Sequence, residues 1–199
     1  DLGKVLVPFD WDIALEKLFP LASNEIGEFI RKDPAGFMKM LEEPANRMER
    51  GSLDFANFFA IVSNVIGLKI PMDKFREIWC DIFWVNHNVI NIGMTLAQRY
   101  SCWLMSNTSR AHYEWIISKF PEIMFYKKAA LSYEIGHMKP EPEYYIKGLQ
   151  LFGVNPHNVV FIDDIQENLD GAATLGIRTI RFEGAGSMIE RLKDYGVSL

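Results

Sequence analysis

An α/β fold is expected from this sequence: a parallel sheet with helices on both faces, interrupted near its start by a wholly helical unit. Two observations lead there. Beyond about residue 100, short continuous apolar runs alternate with helix-like stretches, the pattern of strands buried on both faces. Between about residues 11 and 86, apolar residues recur instead at helical spacing, and no strand-like run breaks them. With 199 residues the chain can bury one good core and a smaller accessory unit.

Taken in chain order, Asp1-Leu2-Gly3-Lys4 leads into Val5-Leu6-Val7, which composition alone reads as a strand. In the helical unit, Phe29-Ile30, Phe37-Met38-Leu41, Phe55-Phe58-Phe59-Ile61-Val62 and Phe75-Ile78-Trp79-Ile82-Phe83 mark four or so helices. Asp54 is placed to cap the third, and Pro71-Met72-Asp73 to open the fourth. The run Cys102-Trp103-Leu104-Met105 ends in Ser106-Asn107-Thr108-Ser109, and a helix from about Arg110 to Lys119 follows. Val159-Val160-Phe161-Ile162 ends in Asp163-Asp164, followed by a helix from about Gln166 to Leu175 that closes at Gly176. Thr179-Ile180-Arg181-Phe182 is a third run, with a terminal helix over Met188 to Asp194.

Charge and composition narrow the partners. A net charge of −5 offers no basic footprint, which argues against nucleic acid and against anionic membrane surfaces. No apolar stretch is long enough to span a bilayer, and no secretory signal is visible. Cys80 and Cys102 lie in apolar surroundings without paired or metal-like spacing. Reduced thiols in a cytoplasmic protein are expected.

In open α/β sheets ligands bind beyond the carboxyl ends of the strands, so the polar residues just after each apolar run are the ones to inspect. Ser106-Asn107-Thr108 and the pair Asp163-Asp164 qualify; between them lies Gly136-His137-Met138-Lys139-Pro140-Glu141-Pro142, and Asp1-Leu2-Gly3-Lys4 stands at the start. Singly, each has an ordinary explanation. An Asp pair before a helix is more often a turn and N-cap, Ser-Asn-Thr after a strand is a common helix start, and a lysine before proline is usually a solvated loop residue. The order of all four along the chain is much harder to attribute to chance.

In these segments the chain resembles the haloacid dehalogenase superfamily, in the branch with a helical cap between its first two motifs. Asp1-Leu2-Gly3-Lys4-Val5-Leu6 resembles the first motif and Leu104-Met105-Ser106-Asn107-Thr108 the second. Gly136 to Tyr145 resembles the third, and Val160-Phe161-Ile162-Asp163-Asp164-Ile165-Gln166-Glu167-Asn168 with Gly171-Ala172 the fourth. Sugar-phosphate phosphatases and the phosphatase domain of soluble epoxide hydrolases are the nearest groups, and Glu49-Arg50-Gly51 before Phe55 is similar to their caps. The resemblance implies a Rossmann-like core over residues 1–10 and 87–199 and a helical cap over 11–86. It also makes Val5-Leu6-Val7 a tight turn and flap, and puts the first strand upstream of Asp1.

The implied activity is magnesium-dependent hydrolysis of a small phosphorylated metabolite, such as a sugar phosphate, by a monomer or homodimer. Asp1 would be the nucleophile, since a carboxylate divides ester hydrolysis into two easier displacements. Asp1, the Gly3 carbonyl and Asp164 would hold Mg2+, a hard cation that takes oxygen ligands, with Asp163 as a neighbouring carboxylate and Asn168 in the outer surroundings. Lys139 would offset the charge of nucleophile and phosphate, while Ser106 through its hydroxyl and Asn107 through its backbone N–H would hold the phosphate.

Gly3 departs from the family, which usually has a second Asp there as general acid and base. Without it, aryl and anomeric phosphates are expected to react faster than alkyl ones, or another group, Asp10 or His137, takes over the proton. Arg47, Glu49, Arg50, Arg110 and His112 are candidates for substrate choice, although a surface-charge reading fits each, and Phe55, Phe58 and Phe59 read better as cap core than as a ligand box. Three alternatives stay open: a metal-free dehalogenase, a phosphomutase, and a phosphosugar-binding protein weakened at Gly3.

Overall fold

At its first residues the chain doubles back. The computed structural model describes residues 1–199, Asn24 through its backbone alone. The Val5 N–H donates to the Gly3 carbonyl (2.7 Å), and the Leu6 and Val7 N–H groups both donate to the Leu2 carbonyl (3.0 and 2.9 Å). Lys4 takes a left-handed φ of 57° within this turn. Val5-Leu6-Val7 is therefore a turn, and the strand suggested by its composition does not form there. All three side chains are buried, so their apolar character reports core burial and not extension.

Five helices follow: α1 (Asp12–Leu18), α2 (Asn24–Lys32), α3 (Pro34–Glu49), α4 (Phe55–Ile66) and α5 (Met72–Cys80). The expected four are α2 to α5; α1 is too short to show a repeat. Asp54 caps α4 by accepting from the Asn57 N–H (2.8 Å), and Asp33 does the same for α3 from the Gly36 N–H (2.8 Å). Without such a cap a helix typically loses about 1 kcal/mol. The apolar stripes meet in a core of Phe37, Phe58, Phe75 and Trp79, with Phe58 5.0 Å and Phe75 5.6 Å from Trp79 between ring centroids. Phe55 and Phe58 are buried in it and Phe59 packs on Phe75 at 5.2 Å. The phenylalanine stripe is packing, and burial of each such ring stabilises the unit by roughly 1.5–3 kcal/mol.

The rest of the chain is layered. After α6 (His87–Ala97) come β1 (Leu104–Ser106), α7 (Arg110–Lys119), β2 (Ala129–Leu131), α8 (Ser132–Ile135) and α9 (Pro142–Phe152). They are followed by β3 (Val160–Asp163), α10 (Gln166–Ala173), β4 (Arg178–Arg181) and α11 (Ala185–Asp194). β1 pairs in parallel with β2, Met105 opposite Ala130, and β3 in parallel with β4, Ile162 opposite Ile180. Alternate strand residues face opposite sides, as pleating requires. Leu104, Leu131 and Ile180 pack with Val89, Ile116 and Met188, while Met105, Ala130 and Phe161 pack with Tyr144, Leu149 and Leu169. The strands form two separate parallel pairs and not the one sheet expected, and both pairs are covered on both faces. A cavity of about 250 Å³, lined by Asp1, Leu104, Met105, Phe161 and Ile162 among others, separates the two strand pairs.

Candidate active site

Ser106 and Asn107 sit where β1 stops and Asp163 and Asp164 where β3 stops, while Lys139 lies in the loop between α8 and α9. The Asp1 nitrogen donates to the Ile162 carbonyl (2.9 Å), which fixes Asp1 beside the carboxyl end of β3. At the end of β1 the N-cap of α7 is Ser109, whose hydroxyl accepts from the His112 N–H (3.3 Å). Capping therefore does not occupy Ser106 or Asn107. Ser106 is buried, its hydroxyl donating only a long bond to the Asn107 carbonyl (3.3 Å). The Asn107 side chain locks the second and third segments together. Its amide donates to the Lys139 carbonyl (2.9 Å) and its oxygen accepts from the Lys139 N–H (2.8 Å). The Asn107 backbone N–H makes no hydrogen bond among the described residues.

Lys139 is not a solvated loop lysine: it is 4% exposed. Its ammonium donates to Asp1 Oδ1 (2.8 Å), to Asp163 Oδ2 (2.6 Å) and, weakly, to the Met105 carbonyl (3.5 Å). Burial lowers its pKa, against the charges of Asp163, Asp164 and Glu49, which hold the proton on. Burial would likewise raise the Asp163 carboxyl, but the Lys139 charge and hydrogen bond outweigh that and leave it below the usual carboxylate value. Without this ammonium the two buried carboxylates would be left uncompensated.

The Asp pair divides its work. Asp163 is fully buried, with Oδ2 on Lys139 and Oδ1 accepting from the Ile165 N–H (2.9 Å) and the Asn168 amide (3.0 Å). Its lone pairs are largely taken, which suits a supporting carboxylate. Carboxylate oxygens of Asp1, Asp163 and Asp164 all lie within 4.8 Å of one another. The Gly3 carbonyl accepts from Val5 (2.7 Å) and keeps a second lone pair. Three carboxylates face one lysine. Hard oxygen donors with surplus negative charge fit magnesium, which binds through one or two carboxylates and keeps its other positions for water and phosphate.

Other sequence candidates lie apart. Asp10 is exposed and accepts from the Asp12 N–H (3.0 Å) at the start of α1. His137 pairs with Glu141 (3.0 Å). Arg47 meets Glu43 of its own helix (3.7 Å), and Arg110 stacks over Tyr133 (4.9 Å) beside Glu114. His112 is buried among Phe83, Trp11 and Trp79, with ring centroids 5.2, 5.7 and 6.4 Å away. It joins α7 to the helical unit, and burial depresses its pKa to about 4. Sequence reasoning missed Ser132, whose hydroxyl accepts from the Thr108 N–H (2.9 Å) and donates to the Thr108 carbonyl (3.1 Å), holding the turn after β1. A three-residue strand, Ala129-Ala130-Leu131, precedes it and gave no signal.

A family model for haloacid dehalogenase-like hydrolases matches residues 91–176, which include Ser106, Asn107, Lys139 and both Asp163 and Asp164. The chain is 26% identical to the D-ribitol-5-phosphate phosphatase of Bacteroides thetaiotaomicron over a 202-residue alignment covering 96% of this chain and 94% of that protein. These matches support membership of the haloacid dehalogenase-like hydrolases. Solved structures of a haloacid dehalogenase family enzyme from Bacteroides thetaiotaomicron share the hydrolase's fold. One superposes with a TM-score of 0.83 at 24% identity, covering 97% of this chain and 95% of that one. Another, the wild-type protein in complex with magnesium and inorganic phosphate, gives 0.75 at 26% identity, over 91% of this chain and 90% of that one.

Proposed function

We propose that this hydrolase is a magnesium-dependent phosphatase for small phosphorylated metabolites, sugar or alditol phosphates foremost, and that Asp1 carries the phosphoryl group between its two half-reactions. The observation that carries the reading is the Lys139 ammonium held between Asp1 (2.8 Å) and Asp163 (2.6 Å), with Asp164 alongside. Likeness to a ribitol phosphate phosphatase supports the substrate class. On this reading residues 1–10 and 87–199 form the catalytic core and 11–86 the cap. Among the described residues no helix is long and apolar enough to cross a membrane, and Cys80 and Cys102 are free, in keeping with a reducing compartment such as the cytoplasm.

Asp1 attacks phosphorus with one carboxylate oxygen, and the bond from phosphorus to the ester oxygen breaks. Lys139 offsets the repulsion between nucleophile and phosphate and keeps Asp1 ionised. The Ser106 hydroxyl and Asn107 N–H hold phosphate oxygens, so their fixed dipoles meet the charge that develops. Water then attacks the phosphorus of the aspartyl phosphate, releasing inorganic phosphate and restoring the carboxylate. Asp1, Asp164 and the Gly3 carbonyl would hold magnesium, which when bound supplies positive charge to the transferring group.

Phosphate release from an ester panel including D-ribitol 5-phosphate, with magnesium and with excess chelator, tests the reading. Turnover that needs magnesium and vanishes in Asp1→Asn is expected. Turnover retained in chelator, or in Asp1→Asn, contradicts it.

A further inference from the structure

Gly3 leaves the leaving group without the proton donor that an aspartate there would supply, and Asp10 and His137 are both engaged elsewhere. The C-terminal turn of α3 brings another carboxyl to the site. Two successive residues dock this turn onto the core. Arg50 is ion-paired with Glu141, two residues beyond Lys139. Gly51 follows with φ +71°, packed so closely on the Tyr133 carbonyl that a Cβ would lie 2.2 Å from its oxygen. Between buried Met48 and these two anchors stands Glu49, partly buried at the end of the helix that docks on the Lys139 loop.

We propose that Glu49 is the general acid of this hydrolase, delivering from the helical unit the proton that Gly3 cannot. The inference rests on the phosphatase reading above. In the first step the Asp1 oxygen bonds to phosphorus, the ester P–O bond breaks, and the Glu49 carboxyl gives its proton to the departing oxygen, which leaves as an alcohol. In the second, the Glu49 carboxylate takes a proton from the attacking water as the Asp1–phosphorus bond breaks, so the carboxyl is regenerated and inorganic phosphate departs. Burial pushes the Glu49 carboxyl up to about 7, opposed only by the Lys139 charge. Both of its protonation states are therefore populated near neutral pH, where a general acid–base group works best.

The decisive readout is the dependence on leaving group, because an alkoxide needs a proton to depart and a nitrophenolate hardly does. We would measure kcat/KM, which ends at leaving-group departure, for p-nitrophenyl phosphate and for D-ribitol 5-phosphate in magnesium, comparing the wild-type chain with Glu49→Gln. General acids contribute about 10²–10⁴-fold. The variant is expected to lose about 100-fold or more on the alkyl ester and at least tenfold less on the aryl ester. Adding Gly3→Asp to Glu49→Gln, where the new Cβ meets only the Phe9 ring at 3.2 Å, is expected to return part of the alkyl rate. An equal loss on both esters, or no loss, overturns the assignment to Glu49 while leaving the phosphatase reading intact. A wild-type chain inert on both esters overturns that reading and this one with it.

Discussion

Lys139 shows how one side chain can hold a site together. Its ammonium is buried against Asp1 and Asp163, and removing one member of such a buried set typically costs about 3–5 kcal/mol, since the partners keep their charge without compensation. Lys139→Met is expected to lower stability by roughly that amount in metal-free buffer, measured by urea unfolding, and to reduce phosphate release at least about 100-fold; native-like values on both counts would contradict the assigned role. Asp163 and Asp164 were readable because they follow an apolar run, and Asp1 and Lys139 because of their order along the chain relative to that pair and to Ser106. Their division of labour was not. Nothing in Asp163-Asp164 says that the first is saturated by Lys139, Ile165 and Asn168. Nor does the sequence, which offers Glu49 for substrate choice, mark it as a proton donor, because that reading comes from what α3 docks against.

α3 and α7 join the helical unit to the α/β part. Gly51 ends α3 in a left-handed conformation that costs an L side chain roughly 1–2 kcal/mol, and its close contact with the Tyr133 backbone adds to that. Gly51→Ala is expected to lower stability by at least about 1 kcal/mol in chemical denaturation; an unchanged midpoint would argue against a tightly docked α3. On α7, His112 sits neutral among Phe83, Trp11 and Trp79. Its folded-state pKa of about 4 lies below the ordinary 6.5, so the unfolded chain takes up the proton first. The stabilisation is full above 6.5 and drains as pH falls toward 4, in total on the order of 3 kcal/mol. Thermal midpoints between pH 6.5 and 5 should therefore fall more steeply for the wild type than for His112→Gln; parallel curves would show that another group sets the slope. Helical periodicity revealed α2 to α5, whereas α1 and β2 are too short to display any period. For Val5-Leu6-Val7 composition misled, because burial and extension favour the same side chains. Two local features decide for a turn: the left-handed Lys4 and the Gly3 carbonyl that accepts from Val5.

Taken together, four segments spread along the chain from Asp1 to Asp164 meet at the carboxyl ends of β1 and β3, where acidic groups outnumber the single ammonium. Such a site stores repulsion that a divalent cation relieves. Magnesium is expected to raise the thermal midpoint, by an amount equivalent to about 2.7 kcal/mol at a hundredfold excess over its dissociation constant, and Asp164→Asn should abolish most of the rise. An equal rise in the variant would place the ion elsewhere. The α/β layering and the helical unit were legible because each obeys a single period over many residues. The seating of α3 against the Lys139 loop depends on distant segments meeting, which no local pattern records. The proposed chemistry turns on a phosphoryl group borne by Asp1. Rapid acid quench of a radiolabelled phosphate ester turning over in magnesium, followed by peptide mapping, reads that out. Label on the Asp1 peptide of the wild type and none in Asp1→Asn is the predicted result, and steady turnover with no labelled protein at any quench time would contradict it.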